Sequence, residues 1–362
     1  MKIIGARHMN ILILPGDGIG PEIVSVADVA LQTVDKRFNL GLNLDRQEAG
    51  LASLAASGTT LTDKVAAKAR AADGVVLGPA STEDYPTAAE GGINISAWFR
   101  KEFDLYANIR PSKVRPGVPG HVPEMDLVIV RENTEGFYAD RNMAVGTGEF
   151  MPTPDVALAV GKATVHGCRR IAVAAFELAR RRNKHLTAVH KANVLRHYSG
   201  LFVDQVDEVS SEYPDIEVEK VIVDAMAALL VRSPEKYDVV VTTNMFGDIL
   251  SDEAAELAGG LGLAASINAG DEHAIAQAAH GSAPDIAGQN IANPVAMIHS
   301  TAMLLDHLGA KNGNNKLIEA GGFLADRTDA LLASPETRTG DLGGNCTTSG
   351  FGEALVASIM QA

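Results

Sequence analysis

Short apolar runs recur along the chain at residues 10–14, 74–79, 127–130, 186–191 and 238–242, with further strand-like segments at 42–47 and 218–223. Runs of this length, rich in Val, Ile and Leu and closed by turn formers, predict strands buried on both faces of a parallel sheet. Between them lie segments of helical period. Residues 21–36, 61–71 and 165–183 read as helices, the last with Ile171, Ala175 and Leu178 on one face. A long helix is predicted from Asn293-Pro294 to about residue 308, and a final helix after residue 345. Strands alternating with helices predict an α/β layered fold. No internal repeat or low-complexity linker interrupts it.

The breaks between these runs carry the polar chemistry. The first strand stops at Pro15-Gly16-Asp17-Gly18-Ile19-Gly20-Pro21-Glu22. A dinucleotide fingerprint needs glycine where Pro21 stands, so this is a tight strand-to-helix loop and not a Rossmann pyrophosphate loop. Pro21 and Glu22 suit the first turn of a helix instead. Residues 80–92 are polar and irregular, a binding-loop pattern. Residues 280–294, with His280, Gly281, Ser282, Ala283, Asp285 and Asn293, are rich in turn formers and backbone donors, a plausible cradle for a nucleotide.

After the run 238–242 the chain enters a helix carrying Asp248 and Asp252, one turn apart and therefore on one face. Asp224 follows the run 218–223. Three carboxylates at element ends form a hard-oxygen site suited to Mg²⁺ or Mn²⁺. The competing reading is a helix cap at Asp248 and a solvated Asp252. Arg100 on a predicted helix, and Arg110 and Arg131 at predicted strand ends, could converge on a substrate with more than one carboxylate. Each could equally be a surface ion-pair partner. Lys191 closes a buried strand, as a tuned base would, or it pairs with an acid at the surface.

Composition narrows the partners. The 362 residues are 46% hydrophobic and 21% charged, with 31 basic against 45 acidic residues and a net charge of −14. That argues against nucleic acid, while leaving anionic small molecules open to local arginines. The cluster Arg180-Arg181-Arg182 reads as a solvated helix end. Cys168 and Cys346 are far apart and in no metal-binding spacing, which suits a reducing compartment. Residues 1–8 lack a leader pattern, and no run approaches a membrane span. A cytoplasmic protein free of membrane is expected.

Taken together, these motifs resemble the β-decarboxylating dehydrogenases, the isocitrate/isopropylmalate dehydrogenase family. The resemblance runs from Leu14-Pro15-Gly16-Asp17-Gly18-Ile19-Gly20-Pro21-Glu22 to Asp341-Leu342-Gly343-Gly344. It implies an α/β, two-lobed isocitrate/isopropylmalate dehydrogenase-like fold with a non-Rossmann cofactor site. Residues 1–100 and 255–362 would form the large lobe, with the cofactor loop at 280–294. Residues 101–254 would form the small lobe, with a dimer-forming insertion. It further implies substrate carboxylates on Arg100, Arg110 and Arg131, a catalytic Tyr138 and Lys191, and metal ligands Asp224, Asp248 and Asp252. Lys191 and Asp224 would come from the partner subunit of a homodimer with shared active sites. The implied chemistry is hydride transfer from C2, loss of CO₂ and protonation at C3. Lys191 accepts the hydroxyl proton and Tyr138 donates the last one.

Where NADP enzymes of this family carry lysine and tyrosine, this chain has Asp285 and Ile286. A carboxylate accepts from a ribose diol but repels a 2′-phosphate, so NAD is expected, with Asn293 near the adenine. The substrate's third substituent is read in the family just before Arg100. Asn94 and Ser96 stand there, the polar pair of isocitrate enzymes in reversed order. Buried against an alkyl group they would cost about 1–3 kcal/mol each unless paired. This favours isocitrate or homoisocitrate over 3-isopropylmalate or a tartrate/malate substrate, although Asn94 also suits a helix cap. Ala276 and Gln277 replace the family's Phe-Glu beside the nicotinamide. Two other classes compete. A silent regulatory subunit would have lost the tyrosine, lysine or an aspartate. A metal-dependent phosphate-binding protein would leave the arginines unexplained.

Overall fold

The computed structural model describes residues 8–138 and 143–362. Residues 1–7, which held the leader prediction, and 139–142 lie outside the described residues. The strands are β1 (Met9–Leu14), β2 (Leu42–Arg46), β3 (Gly74–Leu77), β4 (Ala107–Lys113), β5 (Asp126–Glu132), β6 (Glu149–Thr153), β7 (Val156–Ala159), β8 (His185–His190), β9 (Glu217–Ile222), β10 (Val239–Thr242), β11 (Ile267–Ala269) and β12 (Ala274–Ala276). The helices are α1 (Gly20–Phe38), α2 (Leu51–Ser57), α3 (Asp63–Ala71), α4 (Ile95–Glu102), α5 (Val165–Arg181), α6 (Tyr198–Ser210), α7 (Val223–Arg232), α8 (Asn244–Ala258), α9 (Val295–Asn312), α10 (Asn315–Leu332) and α11 (Thr348–Gln361).

Local chemistry sets several of these boundaries. The helix predicted from residue 61 starts at Asp63, because the Thr62 hydroxyl caps it by accepting from Val65 N at 3.2 Å. The Thr164 hydroxyl caps α5 in the same way. Pro21 sits in the first turn of α1, as its fixed φ allows. Arg131 lies at the end of β5 as expected, while Arg110, also expected at a strand end, lies in the middle of β4.

Ten strands join in one sheet in the order β2-β1-β3-β12-β11-β4-β5-β10-β8-β9. The pairings are parallel except at the centre, where β11 runs antiparallel to β12 and β4, and β4 antiparallel to β5. The two chain ends supply β2 to β11 of that order, and the middle of the chain supplies β4 to β9. Helices cover both faces of each half, giving four apolar cores. On one face of the middle half, Leu127 and Ile129 pack beneath Leu250, Ala254 and Ala258 of α8. Strand alternation brings Arg131 to that same face. Outside the main sheet, β6 and β7 form a hairpin with Phe150, Met151, Val156 and Leu158 exposed. No helix among the described residues is long and apolar enough to cross a membrane.

Candidate active site

A cavity of about 760 Å³ opens between α4, β4 and the segment leading into residue 281. Arg100, Lys101, Arg110, Tyr138, Asn94 and Ser96 line it, together with Ser266, Asn268, Gln277 and His280. Three cationic side chains border it and, among the described residues, no Asp or Glu does. Its character is therefore that of a site for anions. At the α4 end, the Asn94 side-chain oxygen caps the helix by accepting from Ala97 N at 2.9 Å. Its amide N–H groups take no part in that bond. Ser96 Oγ accepts from Gln277 Nε2 at 2.9 Å.

Deeper in, β4, β5 and α8 assemble a compact charge cluster. Arg131 is only 1% exposed. Its Nε and Nη2 donate to Asn244 Oδ1 at 3.0 and 2.7 Å, and its Nη1 donates to Asp248. Arg110 Nη1 donates to Ser251 Oγ at 2.8 Å and stands 3.3 Å from both Asp248 and Asp252. The Tyr138 hydroxyl donates to Asp248 Oδ2 at 2.7 Å and lies 3.3 Å from Arg131 Nη2. Gly247 allows this close approach of α8 to β5. A Cβ there would stand 2.6 Å from Arg131 Cβ and Cγ.

The electrostatics follow from these contacts. Burial alone would raise the Asp248 pKa, but Arg131, the Tyr138 hydroxyl and Arg110 outweigh it and hold the group below its ordinary value. Asp252 shifts the other way, because burial and the neighbouring Asp248 charge exceed the help from Arg110. Burial, then donation to Asp248, raises the Tyr138 pKa and keeps the phenol protonated at neutral pH. Asp248 and Asp252 thus present oxygen donors one turn apart, a donor set that fits a hard divalent cation.

A second cavity of about 460 Å³ adjoins the first and shares His280 and Gly281 with it. Ile19, Leu261, Ala283, Ile286, Asn293 and Asp341 are among its walls. The surrounding loop is held from several sides. Ile19 N donates to Ser282 O at 2.8 Å, and Ser81 Oγ donates to Ser282 Oγ at 2.8 Å. The Glu22 carboxylate accepts from Gly288 N and from Asn290 N, the latter at 3.0 Å. Asn293 Nδ2 donates to Asp341 Oδ2 at 2.9 Å. Asp285 is exposed on the turn between Ala283 and Ile286 and is not itself a wall of either cavity. His280 Nε2 is buried without a hydrogen-bond partner among the described residues, an atom that a bound cofactor could satisfy. An apolar slot with a few fixed polar groups fits a nucleotide.

The isocitrate/isopropylmalate dehydrogenase family model matches residues 10–355, nearly the whole chain. This chain belongs to the isocitrate/isopropylmalate dehydrogenase family. It is 44% identical to 3-isopropylmalate dehydrogenase of Methanothermobacter thermautotrophicus over 87% of this chain and 90% of that one. It is 42% identical to the isocitrate/homoisocitrate dehydrogenase of Thermus thermophilus over 97% and 98% of the two chains. The crystal structure of isocitrate dehydrogenase from Methylococcus capsulatus superposes with a TM-score of 0.84 at 38% identity, covering 97% and 99%. The fold of the family is thus the fold of this chain, while relatives named for different substrates stand at similar identity.

For a member of the isocitrate/isopropylmalate dehydrogenase family, two of the predicted residues lie apart from the rest within one chain. Lys191 follows β8, and Asp224 opens α7 after the edge strand β9. They pair with each other, Lys191 Nζ to Asp224 Oδ1 at 2.5 Å, and that bond lowers the Asp224 pKa. No group of three His, Cys, Asp or Glu residues poised for a metal occurs among the described residues. Sequence reasoning also passed over Asn244 and Ser251, which fix the two arginines, and Asp17. The Asp17 carboxylate is buried and accepts from Leu51 N at 2.6 Å, Ser81 N at 3.0 Å and the Tyr85 hydroxyl at 2.5 Å. The Gly-Asp-Gly sequence was its only signal.

Proposed function

We propose that this protein catalyses NAD-dependent oxidative decarboxylation of a 2-hydroxy acid with a 3-carboxylate, assisted by Mg²⁺ or Mn²⁺. We take its substrate to be polar-tailed, of the isocitrate or homoisocitrate kind. The observation that carries this reading is the cavity bordered by Arg100, Lys101 and Arg110 with no acid among its described wall residues. Arg100, Arg110 and Arg131 would hold the malate-type carboxylates, with Arg131 acting chiefly through its grip on Asp248 and Tyr138. Asp248 and Asp252, joined by Asp224 of a second subunit, would hold the divalent cation, which supplies positive charge where the enolate develops. Lys191 of that subunit would accept the C2 hydroxyl proton as hydride leaves for the nicotinamide. The raised pKa of Tyr138 keeps its proton available for C3.

Sharing the site between subunits requires a homodimer. Exposed Met245 and Ile249 on α8, Val231 on α7 and the apolar β6–β7 hairpin support such an interface. The half-sheets support a division into a large lobe of residues 1–100 and 255–362 and a small lobe of residues 101–254, the second boundary falling within α8 (Asn244–Ala258). His280, Gly281, Ser282, Ala283, Asp285 and Asn293 would hold NAD, with the Asp285 charge disfavouring a 2′-phosphate. Two unpaired cysteines and the family's metabolic role support a cytoplasmic setting.

The test is NADH absorbance with purified protein, Mg²⁺ and a panel of isocitrate, homoisocitrate, 3-isopropylmalate, tartrate and malate. Preference for a carboxylate-tailed substrate is the expected result. The second reading, 3-isopropylmalate, draws on Ile93, Ala97 and Trp98, which also line the cavity. The silent-subunit reading survives only if none of the panel is oxidised.

A further inference from the structure

We propose that Glu22 is a positioning residue that shapes the adenosine half of the cofactor site from outside the cavity. This rests on the NAD-binding role proposed above. Glu22 lies in the first turn of α1 and is not a wall of either cavity. Its two carboxylate oxygens accept from separate backbone N–H groups of the cofactor loop, one from Gly288 and one from Asn290, the latter at 3.0 Å. Both loop residues are left-handed, with φ of +75° and +57°. A left-handed residue other than glycine is uncommon and persists only where its surroundings hold it. Here two N–H groups turned toward one point form a small nest for an anion, and the Glu22 carboxylate fills it.

The anchors on either side show what Glu22 alone secures. Before the span, Ile19 N holds the Ser282 carbonyl at 2.8 Å. After it, the start of α11 holds the far end: Thr348 N donates to Asn290 O at 3.0 Å, and Thr348 Oγ1 donates to Ala292 O at 2.6 Å. Among the described residues, the hydrogen bonds of residues 283–289 stay within that span, save the one Gly288 gives to Glu22. The span carries Ala283 and Ile286, walls of the smaller cavity, and Asp285 between them. A glutamine at position 22 keeps the shape but sets an N–H donor against a backbone N–H and removes the charge. The span then holds its competent shape only part of the time, and a ligand bound against it loses apparent affinity by that fraction.

Glu22→Gln and Glu22→Ala are compared with wild type, using NADH and adenosine monophosphate (AMP), the latter a probe of the adenosine half alone. Kd for both ligands, from NADH fluorescence titration and its displacement by AMP, should rise about tenfold in each variant. With whichever acid of the panel the wild type oxidises, KM for NAD should rise alike, while kcat and the KM of the acid stay within about twofold. Amide hydrogen exchange should quicken at residues 285–290 and stay unchanged in the sheet, and AMP should restore the protection. AMP binding as tight as in wild type in both variants would overturn the role of Glu22. So would equal losses in kcat and in the KM of the acid, or faster exchange spread through the sheet. Any of these leaves the proposed cofactor standing, whereas wild-type protein that binds neither NADH nor AMP removes that reading and this inference together.

Discussion

Arg131→Lys is the sharpest probe of the charge cluster, because it keeps the charge and removes only the fork. The guanidinium meets three side chains at once: Asn244 through two nitrogens, Asp248 through a third, and the Tyr138 hydroxyl at 3.3 Å. A lysine offers a single nitrogen on a shorter stem and cannot span Asn244 and Asp248 together. Charge-assisted bonds contribute about 1.5–3 kcal/mol each, so losing two and regaining part of one leaves a deficit of about 2–4 kcal/mol. At about 1.4 kcal/mol per decade this is about a 30- to 1,000-fold fall in kcat/KM. Initial-rate kinetics with saturating Mg²⁺, alongside thermal unfolding, read both consequences. Because the cluster is already formed in the free protein, Tm should fall as well. A lysine variant within threefold of wild type on every substrate, with unchanged Tm, would show that the fork is not what organises this site.

Tyr138→Phe and Lys191→Met should each abolish overall turnover while an NADH fluorescence titration still shows binding; normal turnover in either removes that residue from the chemistry. Asp285→Lys should raise the ratio of NADP to NAD efficiency by about tenfold or more, since it replaces repulsion of a 2′-phosphate by attraction. A wild-type Michaelis constant lower for NADP than for NAD would contradict the proposed role of Asp285. Burial pushes the His307 pKa down to about 4, with Lys311 adding repulsion. The folded state therefore disfavours the proton, so stability is full above the ordinary value near 6.5 and is lost as pH falls toward 4, by up to about 3 kcal/mol. Asp329, held below its usual range by His299 and Arg115 against the opposing effect of burial, continues the loss in the same direction at lower pH. Equal urea midpoints at pH 7 and pH 5 would contradict this.

The parallel strands were legible because burial on both faces leaves an unbroken apolar run, as in Val239–Thr242. Asp248 and Asp252 were legible because helix geometry alone puts residues four apart on one face. The central strands β11 and β12 were not, since three residues each are too few to show any period. Arg110 was expected at a strand end, yet it sits in mid-strand facing Ser251; nothing local marks a partner that distant in the chain. Asn94 shows the helix cap expected of it and also lines the cavity, where a substrate role would be exercised. The Lys191–Asp224 pair realises the bland alternative for Lys191 within the single chain, and a subunit contact, which sequence does not encode locally, is where its catalytic role would be decided.

At the middle of the sheet, β11 meets β4 over three residue pairs, Ile267 with Ile109, Asn268 with Asn108 and Ala269 with Ala107. A ladder of buried amides and hydroxyls reinforces this seam: Asn108 Nδ2 donates to Ser266 Oγ and Asn268 Oδ1, each at 2.9 Å, and Asn133 Nδ2 reaches Asn268 Oδ1 at 3.0 Å. Asn108 Oδ1 in turn accepts from Arg110 Nε at 2.5 Å. The guanidinium that stands 3.3 Å from both Asp248 and Asp252 is thus tied through Asn108 to the seam where the two half-sheets meet. The placement of these carboxylates therefore rests on the same hydrogen bonds that join the halves.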